Sequence, residues 1–108
     1  MRRPDTLADV VALVRKSGLV DPDTLRRFLD LFARTGLAPA AALALMVEEG
    51  LLTRLQAAEH GAGRAELWVG PYRVLDELGR GGMGRVFLAE DTAGAPVAVK
   101  VLSAALRD

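Results

Sequence analysis

The sequence predicts an α+β fold in which a small four-helix N-terminal module is followed by a three-stranded antiparallel β-meander. Apolar residues recur with the helical period up to about residue 60, whereas from residue 72 onward they form short runs separated by glycine-rich turns. The chain has 108 residues, enough for one ordinary domain or two very small ones. These residues therefore cannot contain a large two-lobed enzyme.

Four helices are expected between residues 7 and 60. In the first two, the apolar residues fall at i, i+3, i+4 and i+7 and share one helical face: Leu7, Val10, Val11 and Val14 in the first, and Leu25, Phe28, Leu29 and Phe32 in the second. A third helix is expected over residues 39–49 and a fourth over 54–60. Together they predict a helical module over residues 1–63.

The joints between the helices repeat a Gly-Leu pair. Gly18, Gly36 and Gly50 are predicted to adopt the left-handed conformation after a helix, and the leucine that follows each is predicted to fold back onto that helix. Asp21 and Thr53 are the predicted N-caps of the helices that come next. The sequence thus predicts a bundle with tight turns.

Residues 64–71 are predicted to be a linker, because the helical period ends in a stretch that contains several glycines. A second domain is expected over 72–108. Its three predicted strands are PYRVLDELG, GRVFLAED and PVAVKVL, joined by two turns, and residues 103–108 could start a helix.

The composition excludes several classes of protein. Lys and Arg together number 14, as do Asp and Glu, so the chain lacks the basic excess of a nucleic-acid-binding protein. There is no cysteine, which rules out disulfides and thiolate metal sites. No signal peptide or membrane span is recognisable. We expect a cytoplasmic location, and the sequence leaves open whether a longer parent protein carries a membrane span downstream.

The stretch LGRGGMGRV carries the chemical motif. Gly79, Gly81, Gly84 and Val86 fit the pattern G-x-G-x-x-G-x-V. In a dinucleotide-binding fold such glycines open a helix, but strand-type residues follow here, which favours a hairpin that folds over nucleotide phosphates. Glycine suits that role because bare backbone N–H groups can approach phosphate oxygens closely. The alternative is a plain flexible hairpin turn.

A lysine on the third predicted strand completes the pattern. In PVAVKVL, Lys100 shares a strand face with Ala98, while Val97, Val99 and Val101 point to the other side. An ammonium group there would neutralise nucleotide phosphates. The alternative is an exposed lysine that keeps a hairpin soluble.

From about residue 72 to 102 the sequence resembles the eukaryotic-like serine/threonine protein kinases of bacteria. The resemblance implies the opening strands of a kinase N-lobe in a parent enzyme that uses ATP and Mg²⁺ to phosphorylate proteins. It implies the following ATP-binding residues: Leu78, Val86 and Ala98 around the adenine, Gly79, Gly81, Gly82, Met83 and Gly84 in the loop, and Lys100 at the α- and β-phosphates.

The remaining kinase machinery would lie after Asp108. It comprises the helix glutamate that pairs with the strand lysine, the H-R-D catalytic loop and the D-F-G aspartate. The fragment alone is therefore predicted to be inactive and to lack tight ATP binding. Besides the parent's protein substrates, a partner of the same chain is possible through the helical module or exposed strands. The alternative function is a stand-alone helical interaction or self-association module that regulates the kinase.

Other polar residues offer no catalytic site. His60 is the only histidine and ends a predicted helix, where we expect its imidazolium to lie against terminal carbonyls. Asp76, Glu77, Glu90 and Asp91 look like paired carboxylates, but strand alternation sends neighbours to opposite faces. We therefore expect neither a metal site nor an acid–base pair among them.

Overall fold

The computed structural model describes residues 2–102 and contains four helices followed by a four-stranded antiparallel sheet. The elements are α1 (Leu7–Ser17), α2 (Pro22–Phe32), α3 (Pro39–Glu48), α4 (Arg54–Gly61), β1 (Trp68–Val69), β2 (Tyr72–Gly81), β3 (Gly84–Glu90) and β4 (Pro96–Leu102). The α+β class is confirmed, although the sheet has four strands rather than the predicted three. The predicted helix start at 103–108 lies outside the described residues. The chain divides into two compact units between Leu67 and Trp68.

The helical unit has a continuous apolar core. Val10, Val14 and Met46 have no exposed surface, and Leu25 is 2% exposed. The predicted apolar faces of α1 and α2 all contribute, either within this core or as partly buried residues packed against it. The core draws on all four helices, and the helical period of the sequence correctly predicted the part of it that α1 and α2 contribute.

The helix ends confirm the predicted caps. Asp21 accepts hydrogen bonds from the second and third backbone N–H groups beyond it, both at 3.1 Å, and Thr53 accepts one at 3.2 Å in a capping box. After α3, Gly50 has a φ of 76° and the Leu51 N–H donates to the Met46 carbonyl at 2.8 Å. This is a Schellman motif, and it returns the leucine to the core as expected.

His60 differs from its expected role. It has no exposed surface, and its Nδ1 lies 2.8 Å from the Arg64 carbonyl oxygen, so Nδ1 carries the proton and donates it. Its Nε2 is buried without a hydrogen-bond partner. Burial lowers the pKa of His60 below the ordinary 6.5. The imidazole is therefore neutral and part of the interior, not the imidazolium that the sequence led us to expect.

The additional strand, β1, lies inside the predicted linker. Within residues 64–71, Ala65 and Leu67 are buried, and Trp68 and Val69 pair with β2 through a two-residue turn. The turn consists of Gly70 and Pro71. Gly70 takes the position with a φ of 59°, because proline is restricted to a negative φ. A strand of two residues is too short to show a period of two, and β1 therefore could not be recognised from the sequence.

The sheet runs in the order β1-β2-β3-β4 with every pair antiparallel. The pairing of β2 with β3 shifts register twice, between Val74 and Asp76 and between Glu77 and Gly79. The second shift is a bulge that leaves Leu78 as the extra residue. Strict alternation would put Glu77 and Gly79 on one face, and the bulge instead puts them on opposite faces of the sheet.

Candidate functional site

The strand register brings the predicted glycine, valine and lysine into one row across three strands. Gly79 on β2 is opposite Val86 on β3, and Val86 is opposite Lys100 on β4. Directly paired residues share a face of the sheet, and Ala98, two residues before Lys100, lies on the same face. We call this the lysine face: Gly79, Val86, Ala98 and Lys100.

The other face of the sheet carries the small apolar core of the strand unit. Phe87 and Ala89 are buried there, and Phe87 pairs with Glu77 on one side and Val99 on the other. We call the face that carries Phe87 and Ala89 the packing face. On the opposite, lysine face, Ala98 and Lys100 are open to solvent.

The glycine-rich stretch forms a tight hairpin. Gly81 ends β2 opposite Gly84, which begins β3, and Gly82 and Met83 make the two-residue turn between them. Met83 is 63% exposed at the tip, and Leu78 is 59% exposed at the bulge. Two large apolar side chains of the predicted site are therefore left in solvent.

Gly84 has a structural reason to be glycine. Its φ is 138°, and a Cβ there would lie against the Val101 carbonyl oxygen and 2.9 Å from the Leu102 Cα. A side chain would push β4 away from β3. The fold itself therefore requires the last glycine of the motif.

The other loop glycines have no such reason. Gly79, Gly81 and Gly82 lack a positive φ, and a Cβ on any of them would have no neighbour within 4 Å. Glycine inside a strand weakens it, because the unfolded chain is more flexible and there is no side chain to pack. Gly79 and Gly81 lie within β2 and carry that cost, and neither a positive φ nor a close neighbour accounts for glycine at any of the three positions.

Lys100 lies at the centre of β4 with an exposed side chain. Among residues 2–102, its ammonium group has no ion-pair or hydrogen-bond partner. It is thus available to an anion that approaches the lysine face.

A cluster of charges lies on the packing face, behind the hairpin. Both carboxylate oxygens of Glu77 accept from both Arg80 and Arg85: Arg80 Nε and Nη2 donate at 2.6 and 2.8 Å, and Arg85 Nε and Nη2 at 3.3 and 3.1 Å. The guanidinium of Arg85 also lies 4.6 Å from the centre of the Phe87 ring. The hydrogen bonds from Arg80, and then those from Arg85, lower the pKa of Glu77 to about 2.

The sequence alone did not identify this cluster. From the sequence, Glu77 is one of four carboxylates among which we expect no acid–base pair. The spacing Glu77-x-x-Arg80 suggests a local ion pair, but the position of Arg85 opposite Arg80 follows from the hairpin register. A hairpin centred on Gly82 and Met83 would have predicted that pairing.

No other candidate site is apparent in the part of the chain that the structure describes. Residues 2–102 contain no group of three or more His, Cys, Asp or Glu side chains placed to hold a metal ion. Over the same residues, no helix has the length and apolar character needed to cross a membrane. The lysine face and its hairpin therefore remain the strongest candidate.

The comparison with known proteins found a short similarity. A stretch of 34 residues, 32% of this chain, is 59% identical to a protein of Thermomonospora curvata described as "Probable serine/threonine-protein kinase PkwA". The similarity covers 5% of that kinase's own length. No family model matches the chain, and no solved structure matches it. The chain therefore contains a kinase-related region.

Proposed function

We propose that residues 72–102 are the first three strands of a serine/threonine kinase N-lobe, and that this chain is the N-terminal region of such an enzyme. The parent would transfer the terminal phosphoryl group of ATP to serine or threonine residues of proteins, with Mg²⁺ as cofactor. The short similarity to a bacterial kinase supports this proposal.

The observation that carries the proposal is the set of glycines without an internal purpose. A Cβ on Gly79, Gly81 or Gly82 would have no neighbour within 4 Å, and the ammonium of Lys100 on the lysine face has no partner among the described residues. Phosphate groups bind where backbone N–H groups are unobstructed and a cation is near. The missing side chains at the hairpin leave room for phosphate oxygens to approach the backbone, and the ammonium of Lys100 lies two strands away.

Each residue of the face has a role under this proposal. Backbone N–H groups of the hairpin would donate to phosphate oxygens, and Lys100 would neutralise the α- and β-phosphates. Val86, Ala98 and Leu78 would present apolar surface to the adenine, with Met83 covering the loop tip. ATP supplies the group that is transferred, while these residues bind and orient it.

The decisive experiment uses the proposed parent enzyme, in which the rest of a kinase domain would follow this chain. Lys100→Met is expected to lower its kinase activity on a protein substrate by at least about 100-fold, because the charge at the phosphates is lost. Lys16→Met is the matched control, since Lys16 is the other lysine of this chain and lies exposed on α1. If the longer protein has no kinase activity, or if both variants retain full activity, the proposal fails.

The 108-residue chain itself is expected to bind ATP weakly. It offers the hairpin and Lys100, but within the described residues no acidic cluster could hold the metal ion that accompanies ATP. The test is a titration with MgATP while the amide resonances of Gly81 and Lys100 are followed by NMR. Saturable binding at micromolar ATP would show instead that the chain is a nucleotide-binding protein in its own right.

The helical unit has a second candidate role as a self-association module. Leu31 on α2 is 73% exposed, and it borders a groove of about 220 Å³ lined also by Phe28, Phe32 and Leu51. Leu31 is the exposed apolar residue at this groove, whose rim also carries Thr24, Arg27 and Glu49, and an apolar centre with a polar rim suits contact with another protein. Sedimentation of the full chain tests this role: association is expected for the wild type and for Ala40→Asp, and not for Leu31→Asp. A monomeric wild type at high micromolar concentration would contradict it.

A further inference from the structure

The charge cluster behind the hairpin places two like charges side by side, an arrangement that is destabilising unless an opposite charge compensates for it. Arg80 and Arg85 are direct cross-strand neighbours, and like charges in that position repel each other. Glu77 accepts two hydrogen bonds from each of them. One carboxylate thus converts a repulsive pair into a bidentate ion-pair network.

The network is partly shielded from solvent. The side chain of Glu77 is 18% exposed and that of Arg85 is 30% exposed, whereas Arg80 at 67% is more open. Arg85 is held further by the ring of Phe87 beneath it. The pair between Glu77 and Arg85 is therefore the more shielded half of the network, whereas the pair between Glu77 and Arg80 has the shorter hydrogen bonds.

The network spans the bulge in β2. Glu77 precedes the register shift and Arg80 follows it, so Leu78 and Gly79 lie between two residues that are bonded to each other. The network lies on the packing face and leaves the lysine face open. It can therefore fix the shape of the hairpin without occupying the site.

The hairpin needs such support. Four of the six residues from 79 to 84 are glycine, and Met83 at its tip is 63% exposed. A segment of this composition has high conformational entropy in its open forms and little packing to hold it closed.

We propose that Glu77 is a positioning residue for the glycine hairpin: its carboxylate holds Arg80 and Arg85 together and so fixes the β2 bulge and the hairpin tip. The positioning role rests on the proposed function, since the hairpin matters as a phosphate loop. The ion-pair network itself does not depend on it. Glu77 is predicted to act through the hairpin and not to touch the nucleotide.

The first test is amide hydrogen exchange of the full 108-residue chain, followed by NMR without nucleotide. Glu77→Gln is expected to accelerate exchange over residues 79–86 by roughly three- to tenfold, because the charge-assisted bonds are weakened. Exchange in the middle of β4 is expected to stay the same. The matched control is Glu90→Gln, which removes a single contact of 3.7 Å to Arg73 between the same two strands.

The geometry of the network is tested at Arg85. Arg85→Gln is expected to accelerate hairpin exchange as Glu77→Gln does. Arg85→Lys keeps the charge but cannot present two parallel N–H groups, so it should behave almost like Arg85→Gln. Wild-type exchange in Arg85→Lys would show that charge alone suffices and would overturn the bidentate network.

The positioning role is tested in the longer enzyme. Glu77→Gln is expected to raise the KM for ATP about three- to tenfold while kcat stays within about twofold, because ground-state and transition-state binding both depend on the loop. Unchanged or uniformly faster exchange overturns the network, and an unchanged KM overturns the positioning role. A longer protein without kinase activity would instead overturn the proposed function. The exchange result would still show whether the ion-pair network holds the hairpin.

Discussion

The helical unit and the strand unit use their apolar residues and glycines in different ways. In the helical unit, Gly18, Gly36 and Gly50 all have a positive φ between 69° and 76°, so each serves the turn in which it lies. In the strand unit, Gly79, Gly81 and Gly82 serve no such purpose. The three glycines of the helical unit are required by its own turns, whereas the strand unit contains three glycines that its fold does not require.

The apolar residues show the same contrast. The continuous core of the described residues lies between Val10 and Leu67, within the helical unit. In the strand unit Val74, Phe87 and Ala89 are buried, while Leu78 and Met83 are more than half exposed beside the glycine hairpin. Groups that a fold leaves unused mark the region where a ligand or a partner is to be sought.

The largest expected effect is in the helical core. Leu25→Ala should lower the free energy of unfolding of the helical unit by about 2–5 kcal/mol, because it removes a 2%-exposed side chain and leaves a cavity. Leu31→Ala on the same helix is the control and should cost less than about 0.5 kcal/mol, since Leu31 is 73% exposed. Urea denaturation followed by helical circular dichroism measures both. Equal effects would mean that the core is not where the structure puts it.

The next effect separates the loop glycines from one another. Gly84→Ala should destabilise the pairing of β3 with β4 by about 1–3 kcal/mol, because its φ of 138° and the nearby Val101 carbonyl leave no room for a Cβ. Gly81→Ala should be neutral or slightly stabilising. Amide exchange of β4 residues measures the difference. If Gly81→Ala is as damaging as Gly84→Ala, the claim that Gly81 is structurally unnecessary is wrong.

Near neutral pH, we expect the stability of the helical unit to depend on pH through His60. The folded-state pKa of His60 is lowered by burial, so below pH 6.5 the unfolded chain takes up a proton that the folded chain resists. Stability should be full above pH 6.5 and fall as the pH drops below it. Urea midpoints at pH 7 and pH 5 measure this, and because His60 is the only histidine, His60→Gln should flatten the profile. A wild-type midpoint that does not fall would contradict the buried neutral imidazole.

The parts of the structure that could be predicted are those that depend on nearby residues. The apolar period and local caps such as Asp21 and Thr53 placed the four helices, because helix signals act within a turn or two. The lysine face was predicted through Lys100 and Ala98 because strand alternation is also local. These features need only the sequence around them.

The parts that could not be predicted depend on register and tertiary packing. Strand β1 has two residues, too few to show a period, and the bulge at Leu78 changes which face Glu77 occupies. The sequence predicts an imidazolium at a helix end for His60, but the packing of its neighbours buries the side chain completely and keeps it neutral. In each case the deciding contact involves a partner that the local pattern does not reveal.

The smallest expected effect gives the sharpest test of the contrast between the units. Lys100→Met in the 108-residue chain should change the free energy of unfolding of the strand unit by less than about 0.5 kcal/mol, because the side chain is exposed and unpaired within the described residues. Amide exchange of β3 and β4 measures it, with Phe87→Ala as a positive control. A substitution that leaves stability unchanged but abolishes activity in the proposed parent kinase would show that Lys100 is retained for a ligand. A loss of stability as large as that of Phe87→Ala would mean that the lysine face is part of the fold, and the distinction between the two units would no longer hold.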